Sequence, residues 1–304
     1  MVARDTRGIM LMVAACLIPG LVVTAWLTSP MILVNAGFAV VIATATEAIC
    51  QRLRGQLDLN RLSDGSSLVT ALIIAAAMPP AVPLSVLAFA TITAIGLAKY
   101  AYGGLGNNVF NPAMVGYAAA LLSFPLALSA WPDLIDGLSG ATALTAFKFR
   151  GGATVADVWN PENGFGSLGG AGAEWINAVF LGGGIVLLLL RLGAWRVSAG
   201  MLLGMAFVAA AGYDSGSSAS SGSPTYHLFT GGTMLAAFFV VTDPVTHPAS
   251  ARGQWLFGLL VGSLTVLIRI FGSHPDGIAF AVLLANAATP YLDRRLAQAD
   301  AAHG

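Results

Sequence analysis

Charge is what this chain has least of. Its 304 residues include 14 basic and 14 acidic side chains, together 9% of the sequence, with formal net charge zero. So sparse a charge excludes an ordinary water-soluble domain of this length. No run of like charges forms a polybasic arm or acidic tail, so nothing points to nucleic acid or to a highly charged partner. Cysteine is scarcer still. Cys16 and Cys50 are the only two, both sit in apolar stretches as small buried hydrophobes, and neither belongs to a CxxC pair. A four-thiolate iron–sulfur cluster would need ligands from other chains; any redox centre confined to this one must be organic. Of the four histidines, His227 and His247 fall near opposite ends of one apolar segment, too far apart to share a metal, and a backbone hydrogen bond is expected for each. Gly103, Gly104 and Gly106 match neither the Walker A nor the dinucleotide-fold spacing, which removes nucleotide binding there.

Apolar residues are present in excess: 57% of the sequence is hydrophobic and the mean hydropathy is +0.79. The chain reads as an all-α polytopic membrane protein, one integral membrane domain over residues 1–304. Apolar runs at Gly8–Leu27, Met31–Cys50, Ser66–Met78, Val82–Ala98, Pro112–Ala130, Ile176–Leu190, Val197–Ala211, His227–Val241, Trp255–Ile270 and Gly277–Tyr291 give about ten expected transmembrane helices. The first is too long for a signal peptide and is expected to be retained. Several others are shorter than the ~20 residues of a straight crossing. Glycine and proline at their ends predict broken or half helices, which are tolerated where irregular backbone is buried in protein.

With both termini in the cytoplasm, Arg4, Arg7, Arg52, Arg54, Arg61, Lys99, Arg191, Arg196, Arg252, Arg294 and Arg295 lie on or beside that side, and only Lys148, Arg150 and Arg269 lie outward. The bias fits the positive-inside rule and exports the polar connection of residues 131–175. In a bacterium this is a multi-pass inner-membrane protein with that loop in the periplasm. The third run, SLVTALIIAAAMPP, and the eighth, GGTMLAAFFVVTDP, both open with small polar residues, pass through alanine and aliphatics, and end at proline. They run in opposite senses, so the chain is expected to hold an inverted repeat of two five-helix halves.

The exported loop contains DGLSGATAL, Asp136–Leu144. Ser139, Gly140 and Ala141 give a backbone that another molecule can approach closely, and they lead to the hydroxyl of Thr142. The pattern resembles the Asp-x-x-Ser/Thr-Gly-Ala-Thr signature at which a flavin transferase joins FMN through its phosphate to the last threonine. Three further segments occur in the order expected of one family: DGSSLVTALIIAAAMPP at Asp64–Pro80, GGLGNNVFNPAMVGYA at Gly103–Ala118 and HLFTGGTMLAAFFVVTDPVTHP at His227–Pro248. The chain thus resembles the D subunit of the Rnf electron-transport complex, a relative of the B subunit of the sodium-pumping NADH:quinone reductase. The resemblance implies covalent FMN on Thr142, with Asp136, Ser139, Gly140 and Ala141 forming the attachment motif, and riboflavin or a second flavin in the helix bundle. It implies partners too: other subunits of the complex, a flavin transferase during maturation, and Na⁺ or H⁺ as coupling ion. Net electron transfer would link ferredoxin and NAD, with no activity expected of the subunit alone. Two other readings stay open: a quinone-reducing B-type subunit, and a flavin-free transporter or channel.

Elsewhere the residues support roles without fixing them. Asn107, Asn108 and Asn111, with Pro112 opening a helix, suit a re-entrant turn whose amides satisfy backbone groups at membrane depth, or contact with a second flavin. Asp243, a carboxylate ending an apolar span, fits either an interfacial cap or a cation- or proton-handling group on an ion path. Glu47 and Lys99, at inner ends of spans, are expected to snorkel or cap. Arg269 is expected in an ion pair, or facing a flavin's charge. Where relatives carry Glu-Thr-Ser after Gly-Ser-Leu-Gly, this chain has Gly170-Ala171-Gly172, which moves any acidic role there toward Glu174.

Overall fold

A computed structural model describes residues 6–55, 57–132, 139–140 and 142–301. The fold is almost wholly helical, and each of the ten apolar runs carries helix. We label the helices α1 (Thr6–Leu27), α2 (Met31–Leu53), α3 (Ser66–Ala77), α4 (Leu84–Ile92, continuing as a π-helix over Thr93–Tyr100), α5 (Pro112–Ser123), α6 (Ala143–Lys148), α7 (Ala173–Leu189), α8 (Trp195–Ala211), α9 (Pro224–Phe229), α10 (Thr233–Leu235, continuing as a π-turn over Ala236–Val240), α11 (Ala251–Phe271) and α12 (Ile278–Ala301). By length and composition, α1, α2 and α11 are long and apolar enough to cross a membrane.

Two expected spans are interrupted, each for a local reason. The run Pro112–Ala130 breaks at Phe124 into α5 and a short turn of helix, Pro125–Ser129. Pro125 has no N–H to continue the ladder. The run His227–Val241 is split between α9 and α10 at Thr230–Gly232, where Gly231 takes a positive φ of 62° that other residues adopt only with strain.

Packing is closest between α8 and α11. Gly200 and Gly204 face Gly258 and Gly262 there, and a Cβ on Gly262 would run into the carbonyl of Met201. Absence of side chains lets the two backbones touch, which supplies van der Waals contact that lipid cannot. Helix α1 packs on α7, α2 on α3 and α4, and α12 on α11 and α5. Their buried faces are mostly alanine, leucine, valine and methionine. Outside this bundle lies a small second cluster, built from Ala143, Leu144 and Phe147 of α6 with Val158, Phe165 and Tyr226.

Candidate functional site

Thr142 is the N-cap of α6. Its backbone is extended, φ −62° and ψ 155°, and its Oγ1 accepts from the Thr145 backbone N–H at 3.3 Å. The same oxygen lies 3.0 Å from Thr145 Oγ1. Threonine suits this place because its side-chain oxygen satisfies an N–H that the first helical turn leaves free. Before it, Ser139 and Gly140 pair antiparallel with Trp131 and Pro132, Gly140 opposite Trp131. Asp136 and Ala141 of the attachment motif lie outside the described residues.

Helix α6 is fixed on three sides, which holds the half-buried Thr142 hydroxyl in one place. The Tyr226 hydroxyl donates to the carbonyl of Ala143 at 3.3 Å, and the Phe147 ring lies 4.7 Å from the Tyr226 ring. Burial pushes the Tyr226 phenol well above its ordinary pKa, so it stays a neutral donor. Lys148 reaches across to donate from Nζ to the Arg269 carbonyl at 2.7 Å. Burial lowers the Lys148 ammonium below its ordinary range. Arg150 lies over the Phe147 ring, its guanidinium carbon 4.1 Å from the centroid, and donates to the carbonyls of Phe147, Ala153 and Ser220. Burial lowers its pKa as well.

Of the inner candidates, Asn108, Asn111 and Asp243 line one cavity of about 120 Å³, together with Ser66, Lys99, Thr242 and the rings of Phe238 and Phe239. Asn107 lines a different one of about 300 Å³, with Gln51, Arg54, Asp64 and Tyr100. Asn108 and Asn111 serve backbone groups with their side chains. Asn111 accepts from Met114 N at 3.1 Å and donates to the Val240 carbonyl at 3.2 Å, while its own N–H goes to Asn286 Oδ1 at 2.9 Å. Asn108 donates to the Phe110 carbonyl at 3.2 Å. Asp243 lies past the end of α10 and does not cap it: its carboxyl holds the following turn, accepting from Val245 N at 3.2 Å and Thr246 Oγ1 at 3.3 Å, and it also forms cavity wall. The turn contacts and the cavity-facing position coexist.

Glu47 and Lys99 do not snorkel, contrary to expectation. They form an ion pair at 2.7 Å with side chains 1% and 3% exposed. The remaining Lys99 protons go to Ser66 Oγ at 2.7 Å and Ser67 Oγ at 3.0 Å, and Tyr100 Oη donates to Glu47 at 2.9 Å. Such full satisfaction makes burial of both charges tolerable. The pairing spans 52 residues, and a charge at the end of each of two apolar runs was its only trace in the sequence. Thr145 and Tyr226, which hold Thr142 and its helix, left no motif at all.

Arg269 has its expected ion pair, 3.3 Å from Asp276, and bridges the break between α9 and α10 by donating to the His227 carbonyl at 2.7 Å and to Thr233 Oγ1 at 3.1 Å. Each histidine has its backbone partner: His227 Nε2 with the Ser221 carbonyl, His247 Nδ1 with the Pro248 carbonyl, both at 2.8 Å. Glu174 turns its carboxylate onto Leu168 N at 2.9 Å and Ser167 Oγ at 3.3 Å. Among the described residues no group of His, Cys, Asp and Glu could hold a metal ion.

Comparison with known proteins matches the sequence model of the NQR2, RnfD, RnfE family over residues 2–301. The chain is 45% identical to a Pseudomonas paraeruginosa protein that bears the name of the D subunit of an ion-translocating oxidoreductase complex, over 95% of this chain and 89% of that one. Proteins of the same name from Cellvibrio japonicus and Salmonella paratyphi A are 42% and 39% identical, covering 96% and 95% of this chain and 89% and 92% of their own.

Proposed function

Because the chain belongs to the NQR2, RnfD, RnfE family, we propose that it is the D subunit of an ion-translocating oxidoreductase complex and carries FMN as a phosphoester of Thr142. Its relatives bear the name of that subunit. The observation that carries the flavin assignment is the Thr142 hydroxyl: the last residue of the attachment motif, half-buried, at the N-cap of a helix fixed by Tyr226 and Lys148. The residues present fit a phosphodiester. Two donors of Thr145, its N–H and its hydroxyl, lie within 3.3 Å of the oxygen that would bear the phosphorus.

When bound, FMN supplies one- and two-electron chemistry, and the protein sets its position and electrostatics. Thr142 keeps the cofactor attached between turnovers. Its docked helix would fix the point of attachment, and the Tyr226 hydroxyl that docks the helix is a neutral donor. Partner subunits would supply and receive the electrons, in net transfer between ferredoxin and NAD. The attachment loop faces the periplasm and both termini the cytoplasm of a bacterial inner-membrane protein.

The cavity of Asn108, Asn111 and Asp243 is the proposed place of Na⁺ or H⁺ passage. At about 120 Å³ it has room for a partly hydrated cation, and a second flavin ring would need it to open. An inverted repeat of five-helix halves is supported by matched contacts. Helices α1 and α3 touch, as do α7 and α10; α2 and α4 touch, as do α8 and α11; and the equivalent pairs α1–α7 and α5–α12 meet each other. Lys99 of α4 donates to Ser66 at the start of α3, and Arg269 of α11 donates to Thr233 at the start of α10. The experiment that tests the flavin assignment is peptide mass spectrometry of protein co-produced with its flavin transferase. FMN is expected on the peptide containing Thr142 and on no other.

A further inference from the structure

Thr142 Oγ1 has two neighbours in the first turn of α6, and both belong to Thr145: the backbone N–H at 3.3 Å and Oγ1 at 3.0 Å. The N–H can only donate, so it occupies one lone pair of Thr142 Oγ1. Either hydroxyl can donate in the second contact while Thr142 is unmodified. That freedom ends when the phosphoester forms, because Thr142 Oγ1 then carries phosphorus in place of hydrogen. The contact survives only if Thr145 becomes the donor.

We propose that Thr145 is the positioning residue of the flavin linkage. Its side chain first accepts a hydrogen bond from the Thr142 hydroxyl, leaving one lone pair of Thr142 Oγ1 free, and afterwards donates to the linkage and holds it against α6. The inference rests on flavin attachment at Thr142. The group transfer balances with a flavin dinucleotide as donor. The Thr142 O–P bond forms, the phosphoanhydride bond breaks, the nucleoside monophosphate leaves, and the hydroxyl proton passes to the transferase's base. After transfer the linkage is a monoanionic phosphodiester, with unbridged oxygens two bonds from Oγ1. A hydroxyl 3.0 Å from Oγ1 is close enough to reach either the ester oxygen or one of these, and a hydrogen bond to a charged acceptor is the stronger kind.

Thr145 is part-buried in the contact, and valine copies its shape and its β-branch while removing only the hydroxyl. Thr145→Val should therefore leave the fold and the backbone cap intact. The full-length protein in detergent is incubated with purified transferase and a flavin dinucleotide, and loading is followed by intact mass. Thr145→Val is expected to load about five-fold more slowly, the factor that one ordinary hydrogen bond supplies, and Thr145→Ser to load at the parent rate. Once loaded, the valine variant should show lower fluorescence anisotropy than the parent, a change that mere helix stability would not produce. Equal loading rates and equal anisotropy for parent and Thr145→Val would overturn the proposal. FMN mass absent from Thr142 of the parent would overturn the attachment itself, a distinguishable result, and this proposal with it.

Discussion

Single side chains show the sharpest contrast between what sequence discloses and what only folding brings together. Thr142 is proposed from sequence alone because its motif is contiguous and lies among small residues. The Glu47–Lys99 pair is not, since two charges 52 positions apart meet only through the crossing of α2 and α4. Lys99→Met should lower stability by about 3–5 kcal/mol, because it leaves Glu47 buried without its partner. Glu47→Gln combined with Lys99→Met should recover part of that loss, as thermal unfolding in detergent would reveal. Asp243 calls for a functional assay. Asp243→Asn keeps the shape and one acceptor oxygen for Val245 N but removes the ionisable carboxyl at the cavity wall. Assembly and flavin content should match the parent, while ferredoxin:NAD electron transfer and ion uptake in liposomes fall together. Parent-like activity at equal flavin occupancy would make Asp243 a turn residue only and move the ion path to other subunits.

At the scale of elements, proline and glycine signalled that some spans would be short or broken, but not where. Pro125 divides one run and Gly231 another, while the π-helical ends of α4 and α10 have no sequence signature at all. The α8–α11 contact was equally hidden: glycines at Gly200, Gly204, Gly258 and Gly262 become informative only once the two helices are known to be neighbours. Gly262→Ala should destabilise the protein by about 1–3 kcal/mol through overpacking, measured as a lower unfolding midpoint, since the new methyl meets the Met201 backbone. The residue 131–175 segment carries a pH-dependent piece. Asp157 closes a capping box with Thr154, whose hydroxyl and N–H donate to its carboxylate at 2.7 and 2.9 Å. These bonds hold the carboxyl below its ordinary pKa. A folded value below the unfolded one means the stabilisation is present above the unfolded carboxylate pKa, about 3.9, and disappears as pH falls through the folded value. Amide exchange at Thr154 and Asp157 should accelerate below about pH 4 relative to the base-catalysed trend, and Asp157→Asn should flatten that dependence.

The molecule as a whole is a helical membrane protein whose class was readable from hydropathy, because long continuous apolar runs satisfy their backbone in lipid as helices. The proposed sidedness rests on the charge bias alone and is open to direct labelling. In a variant lacking Cys16 and Cys50, a cysteine at Ser218 should react with an impermeant thiol reagent added outside intact cells, and one at Asn60 only after the cells are opened. Ser218 reports for the Thr142 side, since Arg150 donates to its carbonyl at 3.1 Å. The opposite pattern would place the flavin on the cytoplasmic face. The central claim, that the chain holds FMN by a covalent bond to Thr142, is tested most directly by denaturing gel fluorescence of the parent and Thr142→Ala, each co-produced with the flavin transferase. A fluorescent parent band and a dark, normally inserted Thr142→Ala band are predicted; equal fluorescence in both, or none in the parent, would contradict the claim.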